Sequence, residues 1–508
     1  MGKRSNSQIK LGAIISYVAL ILNIVLGLLY TPWMKDQIGI ADHGLYTLAT
    51  SLISIFMLDF GLGSAVSRYV AKYRAEGNQK KIDDILGVIY KLYIIIDVIA
   101  FVVLFVIYFL LGVLPLKLDP EQIDKFKTLY LIVAGFNVLS FPFSPLNGVL
   151  NAYEKFIQLK LCDLISKVAT VGFVVIALSF SSSVVWVVLA NALSGMLVVA
   201  IKLIITGTSV DARANFKAGG KELYKSLFSF TIWTTVVSIM QRFTHSFGPT
   251  VLSFTAGDYE IGLYSPAVVI EGYLYTIAIA VNGLFLPKVS QYIADKKEEK
   301  ITDLMIKVGR YQLILLGLIY VGFACVGKEF MVTWMRDIVY EKSYWCALII
   351  MLPTVISATQ QIANTTVIAK KLVKYQAICM IVTGTLGLVV SIVASLFLGS
   401  IGVCIGTAVA SLANIVYMNF IYSKKAGINV FKYYKKCYLR AIPCFAIVIP
   451  LGLLVCHFIP LSSWIGIIVK GICVVAIYAL VFLLIYFSKE DKKKLIDKIK
   501  GILKRKAK

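Results

Sequence analysis

Fourteen runs of about 20 mostly apolar residues follow one another along the chain and limit its possible folds more than any other feature. Each run approaches the length that an α-helix needs to cross the hydrocarbon core of a bilayer. The composition agrees, because 59% of the residues are hydrophobic, 15% are charged and the mean hydropathy is +0.83. Soluble globular proteins do not reach such values. The sequence therefore predicts an all-α, polytopic membrane protein with about fourteen transmembrane helices.

Short polar or basic segments separate the predicted spans. The spans cover residues 11–30, 44–66, 85–111, 128–150, 161–180, 184–206, 227–253, 262–286, 308–327, 344–369, 375–398, 401–421, 441–459 and 464–487. The first run follows Lys3, Arg4 and Lys10, as the apolar part of a signal peptide does. It is too long for that role and lacks a small-residue cleavage site, so we interpret it as an uncleaved first helix.

The distribution of positive charge predicts the orientation. The chain carries 51 Lys and Arg residues and a net charge of +24. With the N-terminus inside, about 40 of these residues lie in or beside cytoplasmic segments and about 7 in external ones, as the positive-inside rule requires. This predicts a multi-pass protein of the cell membrane with both termini in the cytoplasm. It also explains the basic balance without a nucleic-acid partner.

A segment at residues 44–85 returns in recognisable form at residues 262–305. The matching pieces are Gly44–Thr47 with Gly262–Ser265, Ser67–Lys72 with Ser290–Asp295, and Lys81–Leu86 with Lys300–Met305. The second copy begins six predicted helices after the first, because helix two matches helix eight, and an even offset returns the chain to the same side of the membrane. The sequence therefore predicts two parallel repeats, related by an axis along the membrane normal.

The repeat leads to a predicted division of the chain. It consists of an N-terminal six-helix lobe at 1–206, a cytoplasmic linker at 207–225, a C-terminal six-helix lobe at 226–423, helices thirteen and fourteen at 424–487, and a basic cytoplasmic tail at 488–508.

The residues Gly44–Tyr46, Asp59–Gly63 and Ser67–Tyr69, together with the fourteen spans, resemble the Wzx-type flippases of the multidrug/oligosaccharidyl-lipid/polysaccharide (MOP) exporter superfamily. The resemblance covers nearly the whole chain. It implies a MATE-like fold, with two six-helix lobes in a V around a central cavity. It also implies that undecaprenyl-diphosphate-linked oligosaccharide is moved from the cytoplasmic to the outer leaflet of a bacterial inner membrane by alternating access. The product would serve O-antigen, capsule or exopolysaccharide assembly.

We expect a monomer that contacts membrane lipids and works beside a polysaccharide polymerase and glycosyltransferases. It needs no cofactor or metal, and coupling to H⁺ or Na⁺ is expected. Two alternatives remain: a drug or cation antiporter of the same superfamily, which would rely on cavity carboxylates, and a membrane enzyme such as a polysaccharide polymerase, ligase or glycosyltransferase. Short external loops, the longest at 328–343, and the lack of a nucleotide-binding motif disfavour an enzyme.

A flippase for a diphosphate-linked sugar needs a polar, preferably cationic cavity, so charges within the predicted spans are candidates for its site. Each costs about 2.5 to 3.5 kcal/mol at a helix centre. Arg242 lies near the middle of span 227–253, and His245 shares its helix face. A guanidinium can bind phosphate oxygens through two parallel hydrogen bonds. The alternative is a structural pair between Arg242 and Glu271.

Four further residues are candidates for substrate binding. Arg68 and Lys91 would contact the phosphates, although Lys91 is close enough to the cytoplasmic end of its span to snorkel instead. Gln360 and Asn364 would donate neutral hydrogen bonds to sugars, and contacts between helices explain them equally well.

Two carboxylates are candidates for the coupling ion. Asp97 lies deep in span 85–111, and Glu271 lies in span 262–286. Either could bind a proton or a sodium ion. A structural hydrogen bond is the alternative for Asp97, and the pair with Arg242 is the alternative for Glu271.

Overall fold

The chain is helical throughout its described part. A computed structural model describes residues 2–57, 61–219, 221–279, 285–459 and 463–487, without the side chains of residues 2–17, 20, 221–231, 234, 245 and 287. These described ranges contain no β-strand, which confirms the all-α prediction. Asp59 and the predicted basic tail at 488–508 lie outside the described residues.

The α-helices have the following bounds. They are α1 (Gly2–Ile38), α2 (Ile40–Phe56), α3 (Leu62–Ala75), α4 (Gln79–Leu110), α5 (Pro120–Ser140), α6 (Pro145–Ala152), α7 (Phe156–Phe180), α8 (Val184–Ser209), α9 (Lys221–Thr255), α10 (Asp258–Ile279), α11 (Leu286–Ala294), α12 (Glu298–Met335), α13 (Glu341–Ala358), α14 (Gln361–Ala369), α15 (Val373–Leu398), α16 (Ser400–Lys424), α17 (Val430–Cys437), α18 (Ala441–Phe458) and α19 (Trp464–Val481). Short 3₁₀ segments lie at Phe141–Phe143 and Ile338–Tyr340, and a π-helical segment covers Phe482–Tyr486.

Eleven helical segments of the described chain are long and apolar enough to cross a membrane. They correspond to eleven of the predicted spans. The remaining three predicted spans, 11–30, 44–66 and 227–253, fall in α1, in α2 with α3, and in α9. The structure is therefore consistent with a multi-pass membrane protein of about fourteen transmembrane helices.

Three spans that the sequence predicts as continuous are interrupted. Span 44–66 changes from α2 to α3, span 128–150 from α5 through a 3₁₀ segment to α6, and span 344–369 from α13 to α14. At the first interruption Gly61 adopts a left-handed conformation with φ of 68°. At the second, Pro142 and Pro145 each lack the backbone N–H that a continuous helix uses.

The internal repeat is visible in the backbone. Helices α2 to α8 recur in the same order as α10 to α16. Three turns repeat with their left-handed residues, Gly39 (φ 87°) with Gly257 (φ 88°), Gly77 (φ 68°) with Lys296 (φ 55°), and Glu154 (φ 58°) with Lys371 (φ 58°). Non-glycine residues rarely adopt this conformation, so the shared turns mark the two halves as copies of one unit.

The chain divides into two compact units whose boundaries differ from those of the predicted lobes. The first unit comprises Met1–Ser265 with Met380–Thr407, and the second comprises Pro266–Cys379 with Ala408–Lys508. The boundaries between them fall inside α10, α15 and α16. The predicted six-helix lobes at 1–206 and 226–423 stay a prediction.

Within the first unit, equivalent residues of the two repeats contact each other. A Cβ atom on Gly44 would collide with the carbonyl oxygen of Asp258, and one on Gly262 would collide with the carbonyl oxygen of Ile40. The hydroxyl of Thr47 donates a hydrogen bond of 3.2 Å to that of Ser265. The first turns of α2 and α10 therefore pack backbone to backbone with local two-fold symmetry, as small residues allow in membranes.

Within the second unit, a partly buried ion pair joins α12 to α19. Lys470 Nζ lies 2.6 Å from each carboxylate oxygen of Glu329. Lys470 is buried among apolar residues of α19, where an ammonium group needs such a partner.

We expect Gly44→Ala or Gly262→Ala to lower the melting temperature of the purified protein by several degrees. Each methyl group would displace backbone rather than a flexible side chain, and overpacking of this kind costs about 1–3 kcal/mol. Gly172→Ala in α7 is the matched control, because nothing lies within 4 Å of its Cβ position. Equal melting temperatures for all three variants would show that the close crossing does not stabilise the fold.

Candidate functional site

The first unit contains an open cavity of about 800 Å³. Its walls come from the end of α2, from α3 to α6, from the 3₁₀ segment between α5 and α6, and from α9. The lining residues are Met57, Gly63, Ser64, Ser67, Arg68, Tyr93, Asn137, Ser140, Phe141, Ser144, Asn147, Gly148, Asn151 and Arg242. Most of these side chains are polar, although they come from helices with apolar outer faces.

The cavity lies where two interrupted helices meet. In one, α2 ends at Phe56 and α3 begins at Leu62; in the other, α5 ends at Ser140 and α6 begins at Pro145. A Cβ atom on Gly148 would approach the carbonyl oxygen of Gly63 to 2.7 Å. The Ser67 hydroxyl donates a 3.1 Å hydrogen bond to the Gly148 carbonyl. The starts of α3 and α6 are thereby held against each other.

Both of these helix starts contribute to the cavity wall. Gly63 and Ser64 lie in the first turn of α3, while Ser144 and Asn147 lie at the start of α6. The N-terminal end of a helix carries a partial positive charge and backbone N–H groups without helical partners. Interrupted membrane helices use such ends to bind anionic groups. The backbone of this wall therefore favours an anion.

Arg242 reaches the cavity from α9 and caps the interrupted α2. Its Nη1 donates to the carbonyl oxygens of Ser54 at 3.2 Å and Met57 at 2.8 Å, which end α2. The side chain is nevertheless exposed and lines the cavity. Within the first unit, no described carboxylate pairs with Arg242. Glu271 belongs to the second unit, and its predicted pair with Arg242 stays a prediction.

Arg68 lines the same cavity from α3 and is exposed. It lies four residues after Ser64, so the two side chains share a helix face. Among the described lining residues, the charged side chains are Arg68 and Arg242, and none is acidic. The structure thus brings two of the predicted phosphate-binding residues together.

Neutral polar side chains form most of the remaining cavity wall. Asn147 and Asn151 are exposed and lie one turn apart on α6, so their amides share a face. Asn137 is more constrained, because its Nδ2 donates to the Val133 carbonyl at 2.8 Å. Ser140 in turn donates to the Asn137 carbonyl at 3.1 Å. The amides on α6 are therefore the neutral side chains of the wall best placed to form hydrogen bonds with a polar ligand.

Lys91 lies outside the described cavity lining and binds the predicted linker. Its Nζ donates a 2.7 Å hydrogen bond to the Ala218 carbonyl. The same linker is docked on α4 through a hydrogen bond from Asn215 N to the Asp83 carbonyl at 2.9 Å. Lys91 therefore has a structural partner in the linker, which the sequence did not predict.

Two further predicted residues, Asp97 and His245, are not among the described residues that line the cavity. Asp97 lies one turn beyond Tyr93, which lines the cavity, and its Oδ1 is buried without a hydrogen-bond partner among the described residues. His245 lies in α9 three residues after Arg242, and its side chain is outside the described residues.

Three predicted residues belong to the second unit. Glu271 is buried and accepts a 2.7 Å hydrogen bond from Thr354. Gln360 donates to Tyr434 at 2.6 Å, and Asn364 accepts from Gln376 at 3.1 Å. These three side chains are not among the described residues that line the cavity of the first unit. Their roles toward substrate or ion stay predictions.

Four residues that line the cavity were not predicted from the sequence: Ser64, Ser67, Ser144 and Asn151. Small polar residues are common at contacts between membrane helices, so none of them stands out alone. The sequence feature that could have identified such residues is a neighbouring Gly or Pro at a helix interruption. Ser64 follows Gly63, and Ser144 precedes Pro145.

The fold is similar to several solved transporter structures. The lipid II flippase MurJ, in an inward closed conformation, aligns with a TM-score of 0.70 and 16% identity over 93% of this chain and 98% of its own. An inward-facing multidrug resistance MATE family transporter of the MOP superfamily gives a TM-score of 0.67 and 12% identity over 82% and 98%. The Vibrio cholerae MATE transporter VcmN, in the bent form, gives 0.54 and 15% over 85% and 98%. At these identities the likeness shows the fold.

The family is shown by the sequence itself. No curated protein sequence matches the chain significantly. The model of the polysaccharide biosynthesis protein family matches residues 9–285, which is more than half of the 508 residues and includes every described residue that lines the cavity. This match and the transporter fold confirm the resemblance inferred from the sequence. The chain belongs to the polysaccharide biosynthesis protein family and has the fold of the MOP exporter superfamily.

Proposed function

We propose that the protein is a flippase that moves undecaprenyl-diphosphate-linked oligosaccharide from the cytoplasmic to the outer leaflet by alternating access. Its product would serve O-antigen, capsule or exopolysaccharide biosynthesis. Membership of the polysaccharide biosynthesis protein family and the fold shared with MurJ and MATE transporters support a flippase or exporter.

The observation that carries the proposal is the cationic cavity between the interrupted helices. Arg68, Arg242 and the starts of α3 and α6 all direct positive charge into it. A diphosphate head group carries several negative charges and cannot cross hydrocarbon without such an environment. Guanidinium groups bind phosphate oxygens through paired hydrogen bonds, which fixes the head group as well as attracting it.

The rest of the cavity fits the first sugar of the lipid-linked substrate. Amides and hydroxyls such as those of Asn147, Asn151 and Ser144 both donate and accept hydrogen bonds, as sugar hydroxyls require. The polyprenyl chain would stay in the bilayer, because the outer faces of the surrounding helices are apolar. For example, α4 exposes Ile95, Val98 and Phe105.

The drug or cation antiporter is the second candidate, since MATE transporters share the fold. A cation carrier needs acidic groups in its cavity, whereas the charged side chains of the described lining are arginines. The cavity therefore favours the anionic substrate. A membrane glycan enzyme has no such support, because the solved structures of similar fold are a flippase and transporters.

We further propose that transport is coupled to H⁺ or Na⁺ through Asp97 and Glu271. The buried Oδ1 of Asp97, one turn from the cavity-lining Tyr93, supports this role. The protein would lie in the bacterial inner membrane with both termini in the cytoplasm. It would act as a monomer beside glycosyltransferases and a polymerase.

A deletion strain tests the proposed function directly. Its lipid-linked oligosaccharide should accumulate in the inner leaflet, out of reach of a membrane-impermeant lectin, and the restored gene should return it to the outer leaflet. Normal outer-leaflet glycan together with sensitivity to cationic dyes would support the antiporter instead. Outer-leaflet units that are complete but unpolymerised would support the enzyme.

We expect Arg68→Ala and Arg242→Ala each to reduce polysaccharide export by about tenfold to 100-fold, since a hydrogen bond to a charged group contributes about 1.5–3 kcal/mol. Arg68→Lys and Arg242→Lys should retain more export, because they keep the charge without the planar fork. Export is measured as surface polysaccharide at matched membrane levels of the protein.

Arg213→Ala in the linker is the control for this series, because Arg213 is exposed and lies outside the described lining. Normal export in Arg68→Ala would contradict its role as a phosphate contact. Equal and complete loss in Arg242→Ala and Arg242→Lys would assign Arg242 to capping α2 alone.

The cavity should be open to water at the face of α6 that carries the two amides. In membranes, Asn147→Cys and Asn151→Cys should react with a water-soluble maleimide. Val149→Cys on the same helix should not, because Val149 is buried. The background should be low, since most of the nine native cysteines are buried. Equal labelling at 147 and 149 would contradict a cavity on this face.

A further inference from the structure

Helix α17 is joined by short connections to two long apolar helices. It follows α16, a candidate membrane span, and begins the next candidate span, Val430–Phe458, whose apolar part is α18. The helix is short, covering Val430–Cys437, and Asn429 caps its start by accepting a 2.8 Å hydrogen bond from Lys432 N. Residues 425–429 join it to α16 and residues 438–440 join it to α18, so α17 lies beside the ends of both apolar helices.

One face of α17 is fixed to the second unit. Tyr433 and Cys437 are fully buried in the core that includes Met305 and Ile362. The Tyr433 hydroxyl donates a 2.7 Å hydrogen bond to Thr359 Oγ1. Gly309 of α12 makes room for this ring, because a Cβ there would lie 2.9 Å from Tyr433 Cε2.

The same face holds the interruption between α13 and α14. Tyr434 accepts hydrogen bonds from Gln360 Nε2 at 2.6 Å and from Asn419 Nδ2 at 2.8 Å. The hydroxyl of Tyr438 lies 2.6 Å from that of Thr359. Thr359 and Gln360 are the residues between the two helices, so the position of α17 determines how their polar groups are satisfied.

The opposite side of α17, together with the turn at residues 438–440 that follows it, forms a basic and exposed face. Lys435, Lys436 and Arg440 are exposed, and among the described residues no carboxylate pairs with them. Phe431 is 78% exposed and Leu439 is 61% exposed beside these charges. The stretch 424–440 carries six Lys or Arg residues and no acidic one.

We propose that this exposed face of α17 is a binding surface for anionic phospholipid head groups. Lys435, Lys436 and Arg440 bind the head groups, while Phe431 and Leu439 insert among the first acyl carbons. Amphipathic helices with basic and large apolar residues bind membranes in this way. The occupant is a lipid rather than an acidic protein, because Leu439 lies two residues before α18, a helix of a candidate membrane span that exposes Ile442 and Leu451.

Lipid binding on one face of α17 and the tyrosine contacts on the other act on the same short helix. An anionic head group therefore stabilises the packing of α17 against Thr359 and Gln360. We expect anionic phospholipid to raise the melting temperature of the protein.

The test uses the purified full-length protein in neutral detergent, titrated with phosphatidylglycerol, phosphatidylethanolamine or inorganic phosphate. Only phosphatidylglycerol should raise the melting temperature of the wild type. The variant K435Q/K436Q/R440Q should need on the order of 100-fold more of it, since each basic group near an anionic surface contributes about fivefold in affinity. Lys436→Gln alone should give an intermediate shift.

The matched control is the variant K432Q/D303N. Lys432 lies on the same helix, but its Nζ pairs with Asp303 at 2.9 Å, so this double change leaves the net charge of the surface unaltered. It should respond to phosphatidylglycerol as the wild type does. The melting temperature of each variant without lipid is first compared with that of the wild type, to confirm that the variant is folded.

Two results would overturn the proposal. One is an equal response of the wild type and K435Q/K436Q/R440Q to phosphatidylglycerol. The other is an equal stabilisation of the wild type by phosphatidylethanolamine or by inorganic phosphate, which would show that no anionic lipid is recognised. Because the readout is melting temperature rather than export, the outcome does not depend on the proposed flippase activity.

Discussion

A backbone amide or carbonyl without a hydrogen bond is costly in hydrocarbon, so a membrane helix can be interrupted only where protein or water satisfies the freed groups. The first unit meets this constraint with the same side chains that form its cavity. Arg242 donates hydrogen bonds to the carbonyl oxygens of Ser54 and Met57 at the end of α2. Ser67 bonds to the Gly148 carbonyl, and Ser64 to that of Gly61. The polar wall is therefore both a structural requirement and the feature that suits a diphosphate-linked sugar.

The second copy of the repeat meets the same constraint differently. Its interruption at Thr359 and Gln360 is satisfied by the tyrosines of the α17 region, which lies beyond the duplicated helices. The first copy leaves the corresponding place, around Ser144 and Asn147, open to the cavity. Two halves with the same helix order therefore differ in whether the freed polar groups bind protein or face a space for substrate.

The membrane class, the helical spans and the repeat could be predicted because they depend on apolar runs and on spacing along the chain. Arg242 could be selected because charges are rare in such runs, and Arg68 because it follows the end of span 44–66. The hydrogen-bond acceptor of Lys91 could not be predicted, because Ala218 is distant in sequence and contributes only a backbone carbonyl. The change from α2, which ends at Phe56, to α3, which begins at Leu62, was not predicted either. Gly61 and Gly63 are equally consistent with close helix packing and with a helix interruption. Only the left-handed φ of Gly61 distinguishes the two.

The contact between Gly44 and Gly262 bears on how the protein arose. Each glycine faces the carbonyl four residues before the other, so the two sides of the contact are the same surface. A self-complementary surface of this kind is the isologous contact of a two-fold homodimer. An ancestral chain of half the length would already have possessed both sides of it. Gene fusion would then have preserved an existing dimer interface, and later divergence of the halves had to leave these two glycines unchanged.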